Sequence, residues 1–327
     1  MKILIADKFQ KAYLPQLMAL GHEVVLKPDI KADELPVQIK SFEVLIVRSK
    51  KVSADAINSS DKLKMIIRAG AGYNTIEIDA AAKKGVYVCN TPGKNSIAVA
   101  ELAFGLMLAL DRKIADNVIE LRQGKWNKKK YSEAEGICGK TLGIIGMGEI
   151  GVAFAERARA FGMKILAYDP VAIKNPNPKQ AELLKNKVFE FKEKLEDLVK
   201  ESNVITIHVP SNAHTKGMVN KEFLKNVKNN AIILNTSRGD IVVEHDLIEA
   251  MNEKNIWAGV DVYCNEPEAG TSDFSTSLST HSHVYGTHHI GASTEQSQDA
   301  IAFEVIEMLK AFAKGEVVHP VNKHLMK

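Results

Sequence analysis

Gly146-Met147-Gly148-Glu149-Ile150-Gly151 constrains this chain more than any other stretch, because of its setting. Residues 141–145 before it are apolar and β-branched, which suits a buried parallel strand. Residues 152–161 after it carry Phe154, Ala155, Ala158 and Phe161 at helical spacing. A second strand over 164–168 then ends in Asp169. A glycine triplet alone arises in many loops. A strand, a glycine turn, a helix, a strand and a terminal acid about 20 residues on form the dinucleotide-binding pattern. Gly146 would permit the tight turn, Gly148 would let the backbone approach a pyrophosphate, and Gly151 would let helix and strand pack closely. The start of the helix, Glu149 and Ile150, would turn its N–H groups and the positive end of its dipole toward the phosphates.

Length and composition narrow the remaining choices. At 327 residues the chain can form two domains, and its 45% hydrophobic content supplies substantial cores. A formal net charge of +3, from 43 basic and 40 acidic residues, does not suggest a nucleic-acid or membrane partner. It suits small anionic ligands held by a few local cations. Cys89, Cys138 and Cys264 lie far apart with no CxxC pair, which favours a reducing cytoplasm over a disulfide framework or a zinc site. The N-terminus lacks the apolar segment of a signal peptide, and no run reaches transmembrane length.

The first third also alternates strands with amphipathic segments. Strands are expected at 2–6, 23–26, 44–47, 65–68 and 86–89, as in a parallel α/β sheet. Residues 95–121 read as one long helix, apolar nearly all round over 98–110 and therefore buried. Later strands are expected at 204–208, 231–234, 258–262 and near 284–285, with a closing helix over 296–313. Asn175-Pro-Asn-Pro178 reads as a surface loop.

Three downstream segments add reactive side chains: Asn235-Thr-Ser-Arg-Gly239, Gly259-Val-Asp-Val-Tyr-Cys-Asn-Glu-Pro267 and Gly286-Thr-His-His-Ile-Gly-Ala-Ser-Thr294. In an open α/β sheet, ligands sit at the carboxyl ends of the strands. Arg238 and Asp261 fall at or near such ends, with Glu266 and His289 in the loops beyond. Each alone reads as an ordinary surface or loop residue. Together, on a nicotinamide-binding fold, they supply what hydride chemistry requires.

With Arg68-Ala-Gly-Ala-Gly-Tyr-Asn-Thr-Ile-Glu-Ile-Asp-Ala-Ala-Ala82, Asn90-Thr-Pro-Gly-Lys-Asn-Ser96 and Ala100-Glu101, these motifs resemble the D-2-hydroxyacid dehydrogenase family over about residues 2–322. The likeness is greatest to its phosphoglycerate-oxidising branch. The resemblance implies two Rossmann-like α/β domains with parallel sheets flanking a cleft that closes on ligand. One is a flavodoxin-like substrate domain from residues 1–94 and 289–327, the other an NAD-binding Rossmann domain over 95–288. It implies His289 as acid/base, Glu266 as the carboxylate that orients it and favours the imidazolium, and Arg238 as the fork gripping the substrate carboxylate. It implies Asp261 against the nicotinamide carboxamide. Asp169 would bind the adenosine ribose, where its charge favours NAD over NADP. Ala71 and Gly72 match a substrate-carboxylate loop. Arg48, Arg68 and Asn95 match positions around substrate and phosphate, and Lys128 matches a basic residue reaching in from a neighbouring subunit.

The implied activity is NAD-dependent oxidation of 3-phosphoglycerate to 3-phosphohydroxypyruvate, the entry to serine synthesis, by a cytoplasmic homodimer or tetramer. A hydroxypyruvate or glyoxylate reductase of the same family is the near alternative. An NAD(H)-sensing, corepressor-like binding protein is the alternative of another class. Two features depart from the family pattern. His288 stands where proline usually precedes the catalytic histidine, and proline fixes φ where histidine does not. The sequence ends at Lys327 without a serine-binding regulatory domain, so inhibition through such a domain is not expected. His281, His283, His288 and His289 have no cysteine or carboxylate at metal-ligand spacing among them, and no metal is expected.

Overall fold

Twelve short strands, all paired in parallel, form the frame of the computed structural model, which describes residues 1–267 and 271–326. They divide between two units, Met1–Asn95 with Ser293–Lys327, and Ser96–Ala292. His289, assigned from sequence to the returning segment of the first domain, lies in the second unit, where its N–H donates to Asp261 O at 2.8 Å.

The first unit holds β1 (Lys2–Ile5), β2 (Glu23–Leu26), β3 (Val44–Val47), β4 (Met65–Arg68) and β5 (Tyr87–Asn90) in the order β2-β1-β3-β4-β5. That is the flavodoxin-like order. Side chains alternate between two buried faces. Leu4, Leu45, Val47, Ile66 and Val88 point into one core cluster, and Ile3, Ile5, Ile46, Ile67 and Cys89 into the other. The helix Glu295–Ala313 completes the second cluster with Ile301, Val305, Ile306 and Leu309.

The second unit holds β6 (Thr141–Ile145), β7 (Lys164–Tyr168), β8 (Glu190–Phe191), β9 (Val204–Ile207), β10 (Ile232–Asn235), β11 (Trp257–Val260) and β12 (Val284–Gly286). Their order, β12-β11-β10-β9-β6-β7-β8, is doubly wound, and the direction of winding reverses between β6 and β9. The two-residue β8 was not expected from the sequence.

The expected helix over 95–121 is two helices, Ser96–Asp111 and Ile114–Arg122. Lys113 breaks them with φ 49, in the left-handed region, and its ammonium sits 5.3 Å from the Trp257 ring centroid. The first helix buries Ala100, Ala103, Phe104, Met107 and Leu110, whereas the second buries no residue. Packing changes at the break although the residue pattern barely does, and neither glycine nor proline marks it. The expected loop at Asn175-Pro-Asn-Pro178 is only half loop. Asn177 caps the helix Pro178–Lys185, and Pro178 supplies its first turn. Among the described residues, no helix is long and apolar enough to cross a membrane.

Candidate active site

The glycine turn follows β6, at the carboxyl edge where the sheet reverses. Gly146 has φ +92, and a Cβ there would meet His208 O at 2.5 Å. A Cβ on Gly151 would lie 2.1 Å from Gly146 O, so helix and turn could not close. Gly148 differs, because a Cβ there would meet nothing within 4 Å. The space is open at the one glycine where a ligand must approach. Gly148 is also the N-cap of the helix Glu149–Ala160 and receives no side-chain cap, so the first N–H groups, at Glu149 and Ile150, point out for an anion. These features fit the pyrophosphate of a dinucleotide.

Asp169 follows β7. Its Oδ2 accepts from Met147 N–H at 3.0 Å, and its Oδ1 accepts from the Val171 and Ala172 N–H groups at 3.0 and 2.9 Å. The carboxylate therefore ties the glycine turn to the end of β7. A carboxylate offers about four acceptor sites, so a ribose hydroxyl still finds one free. His208, after β9, lies behind the turn. Its ring packs 5.6 Å from Phe154, and burial pushes its pKa down to about 3, so it is neutral.

The reactive groups sit on the loops after β10, β11 and β12. Glu266 Oε2 lies 2.6 Å from His289 Nδ1, while Oε1 accepts from Tyr263 N–H at 2.8 Å. An ionised carboxylate only accepts, so Nδ1 carries the proton and Nε2 is left for a substrate. Burial raises the Glu266 pKa, but the His289 and Tyr263 hydrogen bonds and the charges of His289 and Arg238 outweigh it and hold the group below its usual value. The guanidinium of Arg238 is largely buried. That burial lowers its pKa, while the charges of Glu266 and Asp240 oppose the shift. Arg238 Nη1 donates to Ser237 O at 2.6 Å.

Two buried side chains that the sequence reading did not single out hold these groups in place. Asn235, 2% exposed, accepts from Ser237 N–H at 3.1 Å and donates to Arg238 O at 2.9 Å, which fixes the turn that aims the guanidinium. A Cβ on Gly239 would lie 2.1 Å from the Tyr263 carbonyl carbon, so only glycine lets the Arg238 turn run beside the loop leading to Glu266. Gln180, 5% exposed, donates from Nε2 to Met147 O at 2.6 Å, in the glycine turn itself. A capping-box signal, Asn177 with Gln180 three residues on, was available for the second of these. It gave no hint of the long-range partner.

Asp261 follows β11. It is 1% exposed. Its Oδ1 accepts from Thr287 Oγ at 2.6 Å and Ile290 N–H at 2.9 Å, and its Oδ2 accepts from Gly291 N–H at 2.8 Å. The carboxylate thus organises the loop that carries His289, a non-glycine residue with φ 52. His288 is exposed on that loop.

In the first unit, Arg48 and Arg68 stand at the carboxyl ends of the adjacent strands β3 and β4, where Val47 and Arg68 are in register. Arg48, Ser49 and Lys50 donate their three backbone N–H groups to Asp7 Oδ2 at 2.8–2.9 Å. Arg48 Nη2 donates to Ser293 Oγ at 3.1 Å. Ala71 and Gly72 follow β4, and Ala71 O accepts from Asn90 Nδ2 at 2.6 Å. Asn95 ends this unit, with a buried Oδ1 that has no partner among the described residues. Lys128 is exposed on the second unit, in a turn where Ser132 Oγ donates to its carbonyl at 2.5 Å. Among the described residues, no three histidine, cysteine or acidic side chains form a group able to hold a metal. His283 stacks on Trp257 at 4.3 Å.

Comparison with known proteins gives a consistent result. Residues 104–291 match the family model for the NAD-binding domain of D-isomer-specific 2-hydroxyacid dehydrogenases. The chain is 39% identical over 98% of its length to a D-3-phosphoglycerate dehydrogenase of Methanocaldococcus jannaschii, of which it spans 59%. It is also 39% identical, over 94% of its length, to a hydroxypyruvate reductase of Thermotoga maritima, of which it spans 97%. Among solved structures, the NAD+-bound 3-phosphoglycerate dehydrogenase of Entamoeba histolytica superposes with a TM-score of 0.81 at 30% identity, covering 99% of both chains.

Proposed function

The chain belongs to the D-isomer-specific 2-hydroxyacid dehydrogenase family, and we propose that it oxidises 3-phosphoglycerate to 3-phosphohydroxypyruvate with NAD, the first step of serine biosynthesis. The observation that carries the acid/base chemistry is the 2.6 Å contact between His289 Nδ1 and Glu266. It leaves Nε2 to take the proton of the C2 hydroxyl, and the carboxylate stabilises the imidazolium that results. Arg238 holds the substrate carboxylate and the carbonyl oxygen as it forms. Bound NAD would accept the hydride that leaves C2. Asp169 keeps a negative charge where the 2′-phosphate of NADP would fall.

A phosphorylated substrate is supported by the pair of guanidinium groups at the ends of β3 and β4, with Arg48 partly buried and tied down. Ala71, Gly72 and Asn95 complete that side. Lys128 would serve a neighbouring subunit in a homodimer. The exposed Ile114, Val118, Ile119, Leu121 and Trp126 give such an association its apolar surface. Three free cysteines accord with a cytoplasmic setting.

One finding favours a second reading, hydroxypyruvate reduction: the chain is as similar to the Thermotoga reductase, at 39% identity, as to the Methanocaldococcus relative. Measuring kcat/KM for 3-phosphoglycerate, D-glycerate and hydroxypyruvate, with both cofactors, decides between them. The phosphate reading expects at least a hundredfold preference for 3-phosphoglycerate over D-glycerate, about 3 kcal/mol of transition-state binding. Equal values overturn it. NADH binding with no turnover of any 2-hydroxy or 2-oxo acid would point instead to a sensing protein.

A further inference from the structure

The glycine turn is gripped from both sides at a single residue. Met147 is fully buried. Its N–H donates to Asp169 at 3.0 Å, and its carbonyl accepts from Gln180 at 2.6 Å. Gln180 lies on a helix outside the glycine-turn motif and is itself pinned. Its Oε1 accepts from Asn177 N–H at 2.7 Å, and its own N–H donates to Asn177 Oδ1 at 2.9 Å. Both ends of the amide side chain are therefore committed, which fixes its rotamer and which end faces the turn.

The geometry of one peptide unit then gives the consequence. Among the described residues no peptide bond is cis. In a trans peptide the carbonyl and the following N–H point in opposite directions. Anchoring Met147 O on Gln180 therefore aims the Gly148 N–H the other way, away from the helix Pro178–Lys185. Gly148 is exposed, and the space about its missing Cβ is open.

We propose that Gln180 is a positioning residue for the cofactor: by holding the Met147 carbonyl it keeps the Gly148 N–H presented to a pyrophosphate oxygen of NAD. This rests on the NAD-binding reading of the glycine turn. Without the clamp, the Met147–Gly148 peptide can rotate, and part of the binding energy goes into restoring it.

The test separates the clamp from the helix cap that shares its residues. Gln180→Met removes the donor to Met147 O. Asn177→Ala removes the cap acceptor and leaves the Gln180 amide in place. NADH affinity is read by fluorescence titration and stability by melting temperature. Both variants should melt lower, but only Gln180→Met should weaken NADH, by about tenfold, the size of one lost hydrogen bond to a ligand-bearing group. Unchanged NADH affinity in Gln180→Met overturns the proposal, as does an equal loss in Asn177→Ala. A wild-type protein that does not bind NADH overturns the NAD reading itself, and is recognised before any variant is compared. Should Gln180→Met fail to fold, wild-type protein labelled with 15N-glycine decides. NADH should shift the Gly148 amide resonance, and a Gly148 resonance unmoved at saturation overturns the proposal.

Discussion

The glycine turn after β6 and the histidine loop after β12 solve the same problem by opposite means. Each leaves the carboxyl end of a parallel strand and must bend at once, and each is anchored on an acid at the end of the neighbouring strand. The glycine turn bends at Gly146, whose φ of +92 costs little, and donates one hydrogen bond, from Met147 N–H, to Asp169. The histidine loop places the proposed acid/base itself in the left-handed region, at φ 52, where residues other than glycine are uncommon. It compensates with the Asp261 carboxylate, which accepts from Thr287, Ile290 and Gly291, and the Asp261 carbonyl, which accepts from His289 N–H. Where the chemistry needs only backbone, glycine makes the bend. Where it needs a side chain, buried polar groups must hold the bend from outside.

Substitutions can break this contrast. The largest effect is expected for Asp261→Ala, which strands three donors in a buried site at roughly 1–3 kcal/mol each. Expected results are a kcat at least a hundredfold lower and a fall in melting temperature of several degrees, with NADH affinity within about threefold of wild type. An equal loss of NADH affinity would instead support the direct nicotinamide contact that the family resemblance implies for Asp261.

Next come the glycines. Gly148→Ala should leave the melting temperature unchanged and weaken NADH by tens of fold, because its Cβ meets only ligand. Gly151→Ala should lower both, since its Cβ strikes Gly146 O. Identical behaviour of the two would remove the distinction between a ligand-facing and a packing glycine. Glu266→Gln should then lower kcat about tenfold with NADH affinity unchanged, because a neutral amide no longer stabilises the imidazolium that forms during the reaction. An unchanged kcat would mean that the pair does not form in solution.

The smallest effect concerns His208 behind the glycine turn. Below pH 6.5 the unfolded chain takes up a proton that the folded form refuses down to about pH 3, so stability should fall as pH drops through that window. Asn in place of His208 should flatten the decline in acid unfolding midpoints. A parallel decline would assign the acid sensitivity elsewhere.

The contrast also explains what the sequence could reveal. Gly146, Gly148, Gly151 and Asp169 form a local code within one strand–turn–helix–strand unit, and parallel strands such as β3 and β4 show as short apolar runs. Arg238, Glu266 and His289 stand out as residue types in order, although the contact between Glu266 and His289 is a long-range event. The supports were hidden for the same reason. Asp261 and Gln180 act through backbone groups of distant segments, Asn235 through those of its own turn, and a backbone group carries no sequence label. The break at Lys113 escaped because the apolar spacing continues through it while the packing against which it is measured ends.

The chain's passage out of its first unit at Asn95 and back at Ser293 orders its folding. The sheet of that unit is made early, but the face that takes Ile301, Val305, Ile306 and Leu309 stays bare until the last helix is synthesised. The intervening unit, contiguous in sequence, can fold in the meantime and brings the two halves of its host within reach, so the loop still to be closed is short. A cut near residue 292 should therefore spare the inserted unit and leave the first one exposed to proteases and prone to clumping.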